Sequence, residues 1–173
     1  SRPLSLVVRD INKYSQNLIA RNLLLTMFAE NSRSPINENE AGKFTKEFLI
    51  KQKLRLDSLE MDNGAGLSRS ARISAEDLSF LLEKAYSGLY MPEFVASLPN
   101  MGIDGTLKNR GKKLSVAKHA YLKTGSIQDV SAIAGYIFDK NKDIKVFVFM
   151  VNDPKANESS KIQDDLIEWA YLN

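Results

Sequence analysis

Apolar residues recur at helical spacing near both ends of this chain and run together as strands in between. Pro3 followed by Leu4, Leu6, Val7, Ile11 and Tyr14 predicts a short helix with proline near its first turn. Leu18, Ile19, Leu23, Leu24, Leu25, Met27 and Phe28 predict a second helix directly after it. The junction, Tyr14-Ser15-Gln16-Asn17, is polar, and the simplest local reading makes Ser15 or Asn17 the N-cap of the second helix. Residues 31–39 form a loop around Pro35, and 40–53 a helix that buries Phe44, Phe48 and Leu49. Residues 58–62 alternate as a short strand does and run into Asn63-Gly64-Ala65-Gly66-Leu67-Ser68, a turn that demands glycine. That turn lacks both the Gly-Lys-Ser/Thr ending of a phosphate loop and the third glycine of a dinucleotide fingerprint, so it reads as structural.

Ser74 with Asp77 is a capping-box pattern that opens a helix through Tyr86, ended by Gly88. Pro92 opens a shorter helical piece, and 100–111 is a glycine-punctuated loop containing Asp104-Gly105-Thr106. Three strands are predicted next, over 117–124, 130–138 and 144–151. The last is apolar on both faces apart from Lys145, the pattern of a central strand covered on two sides. Asp153-Pro154 begins a final helix whose stripe of Ile162, Leu166, Trp169 and Ala170 is expected against the sheet. Helices, then an antiparallel sheet, then a closing helix make an α+β arrangement.

Composition narrows the chemistry. At 173 residues and 43% hydrophobic the chain suits one domain with its own core. A net charge of +3 from 24 basic and 21 acidic residues is not a nucleic-acid binder's balance. The lysines and arginine at 43, 46, 51, 53 and 55 suit a solvated helix face, and those at 108, 110, 112, 113 and 118 flank a more interesting stretch. With no cysteine there is no disulfide or thiolate chemistry, and the single histidine, His119, looks like the lead-in to a strand rather than a catalytic base. No apolar run is long enough to span a membrane. The chain opens Ser1-Arg2-Pro3, without an initiator methionine or a signal-peptide pattern, as a processed or excised piece does.

The stretch Tyr121-Leu122-Lys123-Thr124-Gly125-Ser126 reads as an edge strand equipped to hold an anion. Lys123 supplies charge, and Thr124 and Ser126, two apart, point the same way on an extended chain. Gly125 removes the side chain between them, so a ligand's backbone can lie against the strand. Lys-Thr-Gly-Ser is equally an ordinary way to end a strand and begin a turn. What lifts the first reading is order. Ser15-Gln16-Asn17 and Lys123-Thr124-Gly125 resemble the second and third elements of the penicillin-interacting serine enzymes, in the right sequence.

Asn12-Lys13-Tyr14-Ser15-Gln16-Asn17-Leu18, Asp62-Asn63-Gly64-Ala65-Gly66-Leu67-Ser68-Arg69, Gly102-Ile103-Asp104-Gly105-Thr106-Leu107 and Lys123-Thr124-Gly125-Ser126 carry a resemblance that covers nearly the whole chain. It is to the low-molecular-mass D-alanyl-D-alanine carboxypeptidase/endopeptidases, penicillin-binding proteins of the peptidase S13 type. The resemblance implies that 1–173 is the C-terminal portion of a β-lactamase/transpeptidase-like fold, a partial antiparallel sheet with a C-terminal helix packed on it. It implies that Ser15 relays a proton to the leaving amine, that Asn17 holds the substrate amide and that Lys123 polarises Ser15. Thr124 and Ser126 would then bind the terminal carboxylate, with the Ser126 N–H as half of an oxyanion hole beside Gly125. The partners implied are peptidoglycan peptides and β-lactams, in the periplasm or cell envelope, with no cofactor and no metal.

One departure stands out. The family's nucleophile is the serine of a Ser-x-x-Lys motif upstream of Ser-x-Asn, and here Ser115-Val116-Ala117-Lys118 follows it and leads into a strand. The chain alone is therefore expected to be inactive, and an unpaired apolar strand edge around 146–150 is expected to make it self-associate. The rival readings are a non-catalytic module that binds peptidoglycan peptides or a partner, and a β-lactamase or esterase with the same triplets.

Overall fold

Pro3 sets the start of the first helix. In the computed structural model, which describes residues 2–33 and 35–173, its φ of −55° suits a helix start and its carbonyl accepts the first amides, from Leu6 at 3.1 Å and Val7 at 3.3 Å. Helix α1 runs Leu4–Tyr14, α2 Asn17–Asn31, α3 Glu38–Lys51, α4 Ala75–Tyr86 and α5 Met91–Ser97. Strands β1 Ala120–Ile127, β2 Val130–Phe138 and β3 Ile144–Asn152 follow, then α6 Ser160–Leu172. The chain divides into two units: the residues up to Ser15 together with Ala85–Asn173, and Gln16–Lys84. Ser34, within the predicted 31–39 loop, lies outside the described residues.

The first unit is built on an antiparallel sheet in the order β1-β2-β3. One face carries Leu122, Ile133 and Ile137, fully buried with Met101, Leu107, Val116 and Ile167 of α6. On β2 the buried Tyr136 ring packs against Tyr86 and Phe94. Next to it, Gly135 is needed where β2 lies close against β1, because a Cβ there would lie 2.1 Å from the Tyr121 carbonyl oxygen.

Two expectations fail in this unit. The 144–151 run, expected at the centre of the sheet, is an edge strand among the described residues, and β2 is central. A run that is apolar on both faces marks burial but not position: Phe147 and Phe149 pack on the core, and all of β3 is half-buried except its exposed ends. On α6, Ile162 (58% exposed), Leu166 and Trp169 (64%) face outward, and Gln163, Ile167 and Ala170 form the packed face. The two stripes differ by one residue, about 100° of rotation. A polar residue disguised the true one. Gln163 is buried because its amide donates to Ser131 Oγ (2.9 Å) and Ser159 Oγ (3.1 Å) and its carbonyl accepts from Arg110 (2.9 Å).

In the second unit α2 and α3 pack through Leu24, Phe28 and Ala41, with the Phe28 and Phe44 rings 5.9 Å apart. A second cluster, Leu54, Leu56 and Leu59, takes in Leu49, Ile73 and Leu81. Phe48, expected inside, is exposed, since Ala41 and Phe44 already fill the inward face. The predicted strand at 58–62 is reduced to one bridge, Glu60 paired with Arg72. It cannot extend, because the Ser58 N–H is taken by Asp77 Oδ2 at 2.8 Å. The capping box at Ser74 is accordingly half-formed: the Asp77 amide donates to Ser74 Oγ (3.0 Å), and the Asp77 carboxylate also receives the Ser58 hydroxyl. Those hydrogen bonds hold the Asp77 carboxyl below its ordinary range.

Candidate active site

Neither Ser15 nor Asn17 caps α2. Gln16 occupies that position without a side-chain hydrogen bond, and Ser15 instead closes α1 in the left-handed conformation, φ 52° and ψ 50°, with its N–H on the Ile11 carbonyl. For a residue with a Cβ that conformation costs roughly 1–2 kcal/mol. It also frees the serine hydroxyl from the capping duty the sequence suggested.

The hydroxyl is used by a residue 108 positions away: Lys123 Nζ donates to Ser15 Oγ at 2.5 Å. The same ammonium donates to the Thr124 carbonyl at 2.6 Å. Strand alternation puts Lys123 and Gly125 on one face of β1 and Thr124 and Ser126 on the other. Burial removes water from Lys123 and lowers its pKa below the ordinary lysine value. A lysine so placed is a stronger acid than one in water.

Lys-Thr-Gly-Ser does lie at the end of a strand, as its ordinary reading has it: β1 stops at Ile127, and the turn at 128–129 leads into β2. β1 is an edge of the sheet among the described residues, and Gly125 and Ser126 are exposed there. A Cβ at Gly125 would meet only Ala132, at an ordinary 3.8 Å, so the sheet does not require glycine at this position. Ser15, Lys123 and Thr124 are thus brought together. Asn17 is the first residue of α2 and belongs to the second unit.

Two residues that sequence reasoning passed over hold this arrangement. Lys13, 8% exposed, donates to the Leu98 carbonyl at 2.7 Å and to both carboxylate oxygens of Asp104, at 2.9 and 2.7 Å. Asp104 also accepts the Asn100 N–H at 2.8 Å. Thr106, two residues on, lies 3.2 Å from Thr124, hydroxyl to hydroxyl. Lys13 and Asp104-Gly105-Thr106 both stand in the motifs quoted above, but no periodicity signals that a lysine on an amphipathic helix will be buried on a distant loop.

The remaining candidates have structural work. Ser115 and Val116 each donate a backbone N–H to the Glu168 carboxylate at 2.9 Å, in a non-helical segment where Lys118 has φ 75°. No helical turn sets that lysine over that serine. His119 stacks on Tyr171, ring centroids 5.2 Å apart. Arg110, in the second basic cluster, is bound to Asp164 at 2.7 Å.

The sequence profile of the D-Ala-D-Ala carboxypeptidase 3 (S13) family matches residues 1–172. The D-alanyl-D-alanine carboxypeptidase DacB of Haemophilus influenzae is 27% identical over 154 residues, covering 88% of this chain and 32% of that protein. The D-alanyl-D-alanine carboxypeptidase of an Actinomadura species is 34% identical over 84 residues, 46% of this chain and 16% of the relative. Among solved structures, penicillin binding protein 4 of H. influenzae in complex with a β-lactam superposes with a TM-score of 0.89 at 24% identity, over 100% of this chain and 42% of that one. A predatory endopeptidase of Bdellovibrio bacteriovorus in complex with an immunity protein gives 0.76 at 19% identity, over 99% and 44%. At such identities the structural likeness is one of fold, and the chain spans less than half the length of each of these proteins.

Proposed function

Because the chain belongs to the D-Ala-D-Ala carboxypeptidase 3 (S13) family, we propose that it supplies the substrate-binding part of a serine-type D-Ala-D-Ala carboxypeptidase/endopeptidase that works on peptidoglycan peptides. The observation that carries this reading is the hydrogen bond from Lys123 Nζ to Ser15 Oγ. By accepting from the lysine, the Ser15 oxygen leaves its own O–H free to donate onward. The nucleophilic serine comes from outside these residues. It gives its proton to a base beside it on that outside segment and attacks the carbonyl carbon of the penultimate D-alanine, so that an ester forms and the C–N bond breaks. The leaving nitrogen takes its proton from Ser15, which is resupplied by Lys123, a proton donor made readier by its burial. Water then hydrolyses the acyl-enzyme.

Asn17 holds the substrate amide, Thr124 and Ser126 receive the terminal carboxylate, and the Ser126 N–H completes an oxyanion hole with the nucleophile's own N–H. The exposed backbone at Gly125 lets the peptide lie along β1. β-Lactams enter the same groove as acylating ligands, and the periplasm or cell envelope is where such substrates lie. Among the described residues no helix is long and apolar enough to cross a membrane. As an isolated piece the chain is inactive, and it self-associates through the open edge of β3.

Labelling with a fluorescent penicillin tests the reading. The full-length protein is expected to show a covalent band on a denaturing gel that Lys123→Met weakens at least ~100-fold in rate, in line with the usual contribution of a positioned proton donor. The 173-residue chain alone should show none. A band on the isolated chain would locate the nucleophile inside it and overturn the division of labour proposed here.

A further inference from the structure

Thr106 and Thr124 present their hydroxyls to each other at 3.2 Å, either able to donate, and Thr106 is exposed. Each hydroxyl has one proton and two lone pairs. The bond between them therefore uses a single proton and leaves the other without a partner in the pair. A carboxylate set against both oxygens would accept one proton from each, replacing one neutral bond with two charge-assisted ones, which are roughly twice as strong.

The position of Thr106 is fixed. It sits in a single 3-10 turn, Gly105–Leu107, whose last residue is fully buried in the core. On the other side Asp104 is clamped by the ammonium of Lys13 and by the Asn100 N–H. Gly105 between them has φ 57°, and a Cβ on it would come within 2.7 Å of the Lys13 carbonyl oxygen. The turn therefore rests directly on the end of α1, two residues before Ser15. A closed circuit results: Ser15 to Lys123, along β1 to Thr124, across to Thr106, back through Asp104 to Lys13.

The electrostatics of that circuit favour an anion. Asp104 would repel a carboxylate bound two residues away, but the Lys13 ammonium, at 2.7 Å, neutralises it. Lys123 adjoins Thr124 on the strand with its side chain on the other face, and its ammonium bonds the Thr124 carbonyl and Ser15, with no carboxylate among those hydrogen-bond partners.

Resting on the function proposed above, we infer that Thr106 is a specificity-determining residue that pairs with Thr124 to seat the free carboxylate at the C-terminus of the substrate, and that Lys13 and Asp104 are its positioning residues. The loop is thus a further arm of the site, beyond the Ser-x-Asn and Lys-Thr-Gly triplets. It selects for substrates that end in a free acid.

The test uses the full-length protein, an acyl-D-Ala-D-Ala peptide with a free carboxylate, and the same peptide with a C-terminal amide. Thr106→Val keeps the shape and removes the hydroxyl. It is expected to raise KM for the acid about 10-fold, the loss that goes with one hydrogen bond to a charged group, and to leave kcat and the amide reaction within about two-fold. Thr106→Ser, which restores the hydroxyl, should behave as the unsubstituted protein does. Equal losses on acid and amide, or no change on either, overturn the inference. A second readout does not depend on turnover: N-acetyl-D-alanine, titrated against the threonine methyl signals, should bind about 10-fold more weakly to Thr106→Val. Binding at the threonine pair without peptide cleavage would sink the proposed function and leave this inference standing. Cleavage or binding that Thr106→Val does not alter would do the reverse.

Discussion

At the scale of single residues, the site depends on a lysine that the sequence gives no reason to bury. Lys13 is four positions before α2 begins, and its neighbours on α1 are polar or half-exposed. Its ammonium is tolerated inside because three oxygens, two from Asp104 and one from Leu98, replace the lost water. Removing the carboxylate would strand the charge. Asp104→Ala is expected to destabilise the first unit by about 3 kcal/mol, the low end for breaking a buried pair because Asp104 itself is partly exposed, measured by urea unfolding. The double variant Lys13→Met with Asp104→Leu should recover most of that loss. If Asp104→Ala unfolds at the same urea concentration as the unsubstituted protein, the pair does not hold the loop. Ser15, Lys123 and Thr124, by contrast, were legible as candidates from the triplets alone, because the chemistry requires those side chains in that order.

At the scale of elements, local patterns placed the helices and strands well and their faces less well. β2 has the predicted bounds, and β1 begins later than predicted, at Ala120. Residues 117–119 were expected in the strand, but they belong to the turn that delivers Val116 to the core and stacks His119 on Tyr171. On α6 the apolar stripe misled, because burial of Gln163 is decided by Ser131 and Arg110, both far away in sequence, together with Ser159 one turn before it. The two faces give opposite expectations. Ile167→Ala, in the core, should cost about 2–5 kcal/mol, while Ile162→Ala on the outer face should stay within about 0.5 kcal/mol. Denaturant midpoints of the two variants decide between them, and comparable losses would mean that the outer stripe is packed in solution.

At the scale of the whole molecule, the Ser-x-Asn triplet straddles the division between the two units: Ser15 closes α1 in one and Asn17 opens α2 in the other. β3 keeps one edge without a partner strand among the described residues, and its side chains Val146, Val148 and Met150 are apolar. Such edges pair with further chains. The isolated 173-residue chain is therefore expected to form dimers or larger species as concentration rises, and a monomer by light scattering at high concentration would refute this. By itself the sequence determined most of the elements, the α+β class and the candidate triplets, because propensity, period and turn chemistry act over a few residues and leave their mark there. Tertiary structure alone decided which strand is central, which stripe of α6 is buried, and that Lys13, Asp104 and Thr106 meet Ser15, Lys123 and Thr124 in one circuit. Those outcomes are fixed by partners far apart in the chain, where the energy of a contact depends on what arrives opposite and not on the residue's own neighbours.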